Sequence, residues 1–236
     1  MRSIADQTES ELGGPWSVLV RQQRDHVELD RLLHRLETSD APEDEQEILH
    51  RIARLVFPHA FAEESVLWPV MRRVLPDGHA LTLQVEQEHQ EVNELWVRLE
   101  DPAATPDQRR AAVDRLVEVL REDVRDEEDE LFPRLQERVD VARLRRLGVA
   151  WELVRRTAPT RPHPVVARRP PGNALAALPL TVLDRSRDGL DAVARRAPTN
   201  VAPRLAATSQ ALARAAGRVE QVGVMKRGED PSTHRD

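Results

Sequence analysis

The chain has 236 residues, with 35 Lys+Arg against 41 Asp+Glu and a formal net charge of −6. It has no Cys and no Tyr, which excludes disulfides, thiolate metal sites and any chemistry that needs a tyrosyl radical or a tyrosinate ligand. No apolar run approaches the roughly 18 residues of a membrane span, and residues 1–10 lack the apolar core of a signal peptide, so a cytoplasmic protein with no membrane partner is expected.

Hydrophobic periodicity predicts an all-α chain. Helix one is expected from about Pro15 to Glu37, where Val18, Leu19, Leu29, Leu32, Leu33 and Leu36 recur at helical spacing. Ser39-Asp40-Ala41-Pro42 reads as a turn, with Pro42 suited to the first turn of helix two. That helix runs to about Leu75. Pro58 lies inside it and removes a backbone donor, so a bend is expected beside His59. Pro76-Asp77-Gly78 breaks the chain and offers Asp77 as a cap for helix three, which ends near Asp101-Pro102. Thr105-Pro106 is a cap followed by proline at the first helical position, and helix four continues to about Arg138.

Asp140 is placed to cap a fifth helix, Val141 to Arg156, with Leu144, Leu147, Trp151 and Val154 on or near one stripe. The proline-rich stretch 158–172 reads as an extended, polyproline-like arm. Two Ala- and Leu-rich helices follow, about 174–197 and 201–222, joined by Pro198-Thr199-Asn200. The expected organisation is a bundle over 1–138, a helix, arm and helical hairpin over 139–222, and a disordered tail over 223–236.

Charge divides along the same line. Residues 151–236 carry 15 Lys+Arg and 8 Asp+Glu, a net of +7, which leaves residues 1–150 at −13. A basic extension should lie against an acidic bundle, with Trp151 and a Leu175/Leu178/Leu183 stripe buried there or against a protein partner. Its arginines are scattered and no aromatic residue but Trp151 accompanies them, which argues against a nucleic-acid partner.

The bundle segment is written twice. His59-Ala-Phe-Ala-Glu63-Glu64-Ser-Val-Leu67-Trp68-Pro69 matches Asp123-Val-Arg-Asp-Glu127-Glu128-Asp-Glu-Leu131-Phe132-Pro133. Ahead of them stand Asp25-His26 and Glu88-His89, 33 residues from His26 to His59 and 34 from His89 to Asp123. Residues i and i+4 share one helix face, so His59 with Glu63, and Asp123 with Glu127, can each reach one centre. Singly, a buried histidine is an ordinary core residue and a Glu-Glu pair a solvated surface. At matched spacing on four helices, they form the donor set that a bundle uses to enclose metal ions.

This register resembles the hemerythrin-like (HHE cation-binding) family: His, His-x-x-x-Glu, His, His-x-x-x-Glu. The resemblance covers roughly residues 15–137. It implies an up-down-up-down four-helix bundle, here with a C-terminal helical extension, holding two non-haem iron ions through His26, His59, Glu63, His89, Asp123 and Glu127. It also implies that Glu63 and Glu127 bridge the ions. Manganese or zinc are alternatives. Asp123 stands where the pattern has its last histidine. Helix three has one histidine where oxygen-carrying members have two, with Val85 and Asn93 four residues to either side of His89. Three histidines and three carboxylates point away from reversible oxygen carriage.

The expected function is reaction with, or sensing of, a small ligand: oxygen, peroxide or nitric oxide. The alternative is a metal-stabilised structural module whose C-terminal helices dock a protein. Glu64 and Glu128 are expected beside the ligands or on the surface, Glu86 within reach of the site, and Asn93 as a weak candidate. Trp68, Phe132, Trp96 and Phe61 are expected to line the core. His34, His50, His79, His163 and His234 have no ligand-like partner at helical spacing and read as surface or packing residues; His163, between two prolines, is the one placed to lie over something.

Overall fold

The computed structural model describes residues 1–39, 41–228 and 230–233. Asp40 of the first expected turn, and His234 with the end of the expected tail, lie outside the described residues. Among the described residues there are helices and no strands. None of these helices is long and apolar enough to cross a membrane.

The first bundle helix, α1 (Val18–Glu37), starts three residues later than expected because the Ser17 side chain accepts from the Leu19 amide and fixes the cap there. The second is α2 (Pro42–Ala62), a π-helical turn (Glu63–Leu67) and α3 (Trp68–Val74). The third is α4 (Gly78–Glu100). The fourth is α5 (Pro106–Asp126), a second π turn (Glu127–Leu131) and α6 (Phe132–Arg138). Together they form the up-down-up-down bundle.

The α-helix runs through Pro58; the change of register comes at Glu63 instead. Both π turns stand just ahead of an aromatic-proline pair, Trp68-Pro69 and Phe132-Pro133. A proline inside a helix lacks the amide for the i−4 carbonyl and crowds it, and a π turn is one way to relieve that crowding. Thr105 and Gln108 form a reciprocal capping box at α5. Asp77 makes no capping side-chain hydrogen bond; both its carboxylate oxygens accept from Arg134 NH2 at 2.7 Å.

Two apolar clusters fill the bundle. One holds Leu29 to Leu36 of α1, Ile48 to Phe57 of α2, Val92 to Leu99 of α4 and Ala112 to Leu120 of α5. The other holds Val18 to Val20, Ala62 to Leu75, Val85 and Leu131 to Val139. His26, His59, His89, Asp123 and Glu127 fall between the two along their helices, and Glu63 stands at the edge of the second. Of the four aromatic residues expected in the core, Trp68, Phe132 and Trp96 are buried, whereas Phe61 is only half-buried.

The helix α7 (Val141–Thr157) is capped by Asp140, whose Oδ1 accepts from the Arg143 amide at 2.7 Å. It lies against α1 and α2 and buries Trp151 in the second cluster. Gly148 makes this approach possible: a Cβ there would stand 2.1 Å from the Trp16 carbonyl oxygen.

The segment that follows runs through turns and bends, not one extended stretch, and much of it is buried. It crosses α4 and meets the hairpin of α8 (Gly172–Ala194) and α9 (Ala202–Glu220). Of the expected stripe, Leu183 packs against the hairpin core but Leu175 and Leu178 are 49% and 70% exposed. Ala176, Leu180, Thr181, Asp184 and Asp188 face inward instead, because the arm supplies partners for the two acids. Asp184 accepts from the Thr160 and Arg161 amides at 3.0 and 3.1 Å, and Asp188 from Thr160 Oγ1 at 2.8 Å. Residues expected in a free tail also make defined contacts: Ala167 donates to the Met225 carbonyl and Gly172 to that of Arg227, each at 3.0 Å.

Candidate metal centre

The gap between the apolar clusters receives His26 from α1, His59 from α2, His89 from α4, Asp123 from α5, and Glu63 and Glu127 from the first positions of the two π turns. All six are buried. Nε2 of His26 lies 3.2 Å from Glu127 Oε2, and Nε2 of His59 lies 3.1 Å from Glu63 Oε1. Nε2 of His89 is 3.7 Å from Glu63 Oε2 and 3.6 Å from Asp123 Oδ1. Two sets of three residues bring ligand atoms within 4.8 Å of one another: His26, His59 and Glu127, and Glu63, His89 and Glu127. Asp123 belongs to neither set and reaches the cluster through His89.

Each imidazole is held from behind. Nδ1 of His26 meets Glu128 Oε1 at 2.9 Å, Nδ1 of His59 meets Asp25 Oδ2 at 3.1 Å, and Nδ1 of His89 meets Glu64 Oε1 at 3.0 Å. A carboxylate on Nδ1 fixes the tautomer that leaves Nε2 free to bind, the usual support of a metal-ligating histidine. Rings complete the walls: Trp68 stacks near His89, Phe132 near His26, and Trp151 meets His59 edge-on at 5.2 Å.

The residues fit a cation. Both oxygens of Glu63, both of Glu127 and Oδ1 of Asp123 are buried and make no formed hydrogen bond; the polar groups they face are the imidazole Nε2 atoms at 3.1–3.7 Å. Buried anionic oxygen is costly unless it is paired or coordinates a metal. Burial also shapes the protonation of the metal-free cluster. It opposes charge on the imidazoles, but the carboxylates of Glu127 and Glu128 outweigh it and carry His26 up to about 9. Asp123 and Glu64 likewise carry His89 up to about 10 against burial. For the acids, burial and the neighbouring carboxylates push Asp123 and Glu127 each up to about 7. Imidazole with carboxylate suits iron or manganese better than a soft metal.

Two weaker candidates go elsewhere. Glu86 is buried but turns to Arg72 and to Arg169, whose NH2 reaches Oε2 at 2.6 Å. Asn93 donates to the His89 carbonyl at 2.8 Å and accepts from the His163 amide at 3.0 Å, so both ends of its amide are engaged. His163 itself is buried between Asp184 and Glu220, at 2.9 Å from each. The sequence marks Asp25 only through its pairing with His26 in the doubled segment; in the fold it orients His59 instead.

Beside the cluster lies a cavity of about 20 Å³, lined by His26, His59, His89 and Asp123 and by apolar side chains including Phe57, Val92 and Leu120. That is room for one water-sized molecule.

Fold and donor set together define a helical bundle built around a buried imidazole–carboxylate cluster. Residues 19–135 match the family described as the Hemerythrin HHE cation binding domain, and through this segment the chain belongs to that family. Comparison with curated proteins and with solved structures gives no match.

Proposed function

We propose that the chain is a non-haem di-iron protein that reacts with or senses a small oxidant or diatomic ligand: oxygen, peroxide or nitric oxide. The observation that carries this reading is the pair of three-residue sets sharing Glu127. His26 and His59 would hold one ion and His89 with Asp123 the other, while Glu63 and Glu127 serve both. The ions would supply one-electron chemistry and open coordination positions.

The protein's own part is positional. Glu128, Asp25 and Glu64 hold the three imidazoles with Nε2 inward. Phe57, Val92 and Leu120 keep the approach apolar and small, which favours a ligand of two or three atoms over an organic substrate. Asp123 places a third carboxylate where the family pattern has a neutral imidazole, which favours the oxidised ion and opposes reversible oxygen release. In this reading residues 1–138 are the metal-binding bundle and 139–222 a cover over it, in a cytoplasmic setting. The test is anaerobic loading with ferrous iron followed by exposure to oxygen, peroxide or nitric oxide. Spectral change with at least one of them supports the reading; a colourless protein that retains only zinc supports a structural metal module instead.

A further inference from the structure

The family match ends at residue 135, yet two of the three imidazoles are braced from beyond that limit. Asp25 Oδ2, which meets Nδ1 of His59, also faces Arg155 NH1 of α7 at 3.6 Å. The same arginine lies over the Trp151 ring, 5.2 Å from its centroid, and Trp151 in turn meets His59. Glu64 Oε1, which meets Nδ1 of His89, faces Arg168 NH1 of the arm at 3.8 Å. Arg168 is nearly buried and is fixed by Gln90 Oε1, which accepts from its Nε at 3.3 Å and its NH2 at 2.8 Å. In both places, the oxygen that holds the imidazole is the one that faces the guanidinium.

We propose that the C-terminal extension is a working part of the metal centre, with Arg155 and Arg168 as positioning residues that fix Asp25 and Glu64 and, through them, His59 and His89. This rests on the reading that those histidines bind metal. The physical argument has two parts. Arg155 is itself held by Glu152 at 3.0 Å, and a carboxylate that faces a guanidinium fixed in this way at 3.6–3.8 Å has less freedom to rotate, so the ring it holds keeps its Nε2 aimed at the centre. A cation behind that carboxylate also draws its charge away from the imidazole, and it favours the reduced, less positive ion. The extension thereby returns positive charge to a site whose ligands include three carboxylates.

The test uses the full-length protein loaded with ferrous iron. Arg155→Met and Arg168→Met should each weaken the binding of one iron about 10-fold in competition with a chromophoric chelator, the low end of what outer partners of a metal ligand contribute. Each should also lower the reduction potential in a mediated titration. Arg155→Lys and Arg168→Lys, which keep the charge, should restore the potential. Arg110→Met, the same charge change at an exposed position, should alter neither quantity. If a methionine variant fails to fold, the glutamine variant at that position replaces it with the same expected losses. Iron-loaded methionine or glutamine variants with wild-type affinity and potential would overturn the proposal. A wild-type protein that takes up no iron would overturn the metal reading itself, and this inference with it.

Discussion

Glu128 and His26, 102 residues apart in the chain, meet at 2.9 Å between Oε1 and Nδ1. Glu64 and His89 repeat the contact in the other direction at 3.0 Å. Each half of the doubled hairpin therefore orients an imidazole of the other half, which ties the cluster to correct pairing of the halves. Glu128→Gln and Glu64→Gln keep the shape and remove the charge. Each should reduce affinity for one iron about 10- to 100-fold, read by chelator competition. Unchanged affinity in both would show that these contacts do not tune the ligands.

Asp123 reaches the cluster through His89 and stands outside both three-residue sets. Asp123→His should raise the reduction potential, because a neutral donor replaces an anionic one. Asp123→Ala should weaken the ion beside His89 more than the ion beside His26 and His59. Potentials and iron retention that agree across the three forms would leave the fourth bundle helix contributing only through Glu127.

The metal-free imidazoles set a pH dependence. Burial opposes their charge, but the surrounding carboxylates hold His26 near 9 and His89 near 10 and raise His59 as well. Metal requires the neutral ring, so binding must release protons. Apparent affinity should rise steadily from pH 6 to 9, and calorimetry in buffers of different ionisation enthalpy should detect the protons. An affinity flat across that range would contradict the protonation pattern.

How far the chain could be read depends on the distance over which each feature is decided. The positions of His26, His59, Glu63, His89 and Glu127 follow from i,i+4 geometry and the repeat, both local. The π turns are local too, but the sequence places the expected bend at Pro58, whereas the turns form ahead of Trp68-Pro69 and Phe132-Pro133. Glu64 and Glu128 could be placed only near the ligands, since which neighbouring helix they address depends on the bundle closing. Arg155 and Arg168 depend on how the extension docks, which no periodicity encodes. The same holds for α8: its pattern shows that Leu175 and Leu178 share a face, but Asp184 and Asp188 decide which face turns in.

His163 gives the clearest stability prediction. Burial disfavours its charge, yet Asp184 and Glu220 outweigh this and carry it from 6.5 up to about 9. A raised histidine contributes stability that is fully present below about pH 6.5 and is lost as pH rises through about 9. His163→Gln leaves buried Asp184 and partly buried Glu220 without their cation, at a cost of about 3–5 kcal/mol near pH 6. The gap between wild type and variant, in urea titrations at one metal loading, should shrink from pH 6 to pH 10. A gap that is constant with pH would mean that the imidazole is neutral in the fold.

The most direct measurement is the iron content of the protein after anaerobic loading with ferrous iron and removal of the excess, made alongside Glu63→Ala and Glu127→Ala. The wild type should hold about two irons per chain. Glu63→Ala should retain about one, on His26, His59 and Glu127, and Glu127→Ala, which cuts both sets of donors, should retain well below one. A wild-type content well below one, or two irons retained by both variants, would contradict a shared carboxylate-bridged centre.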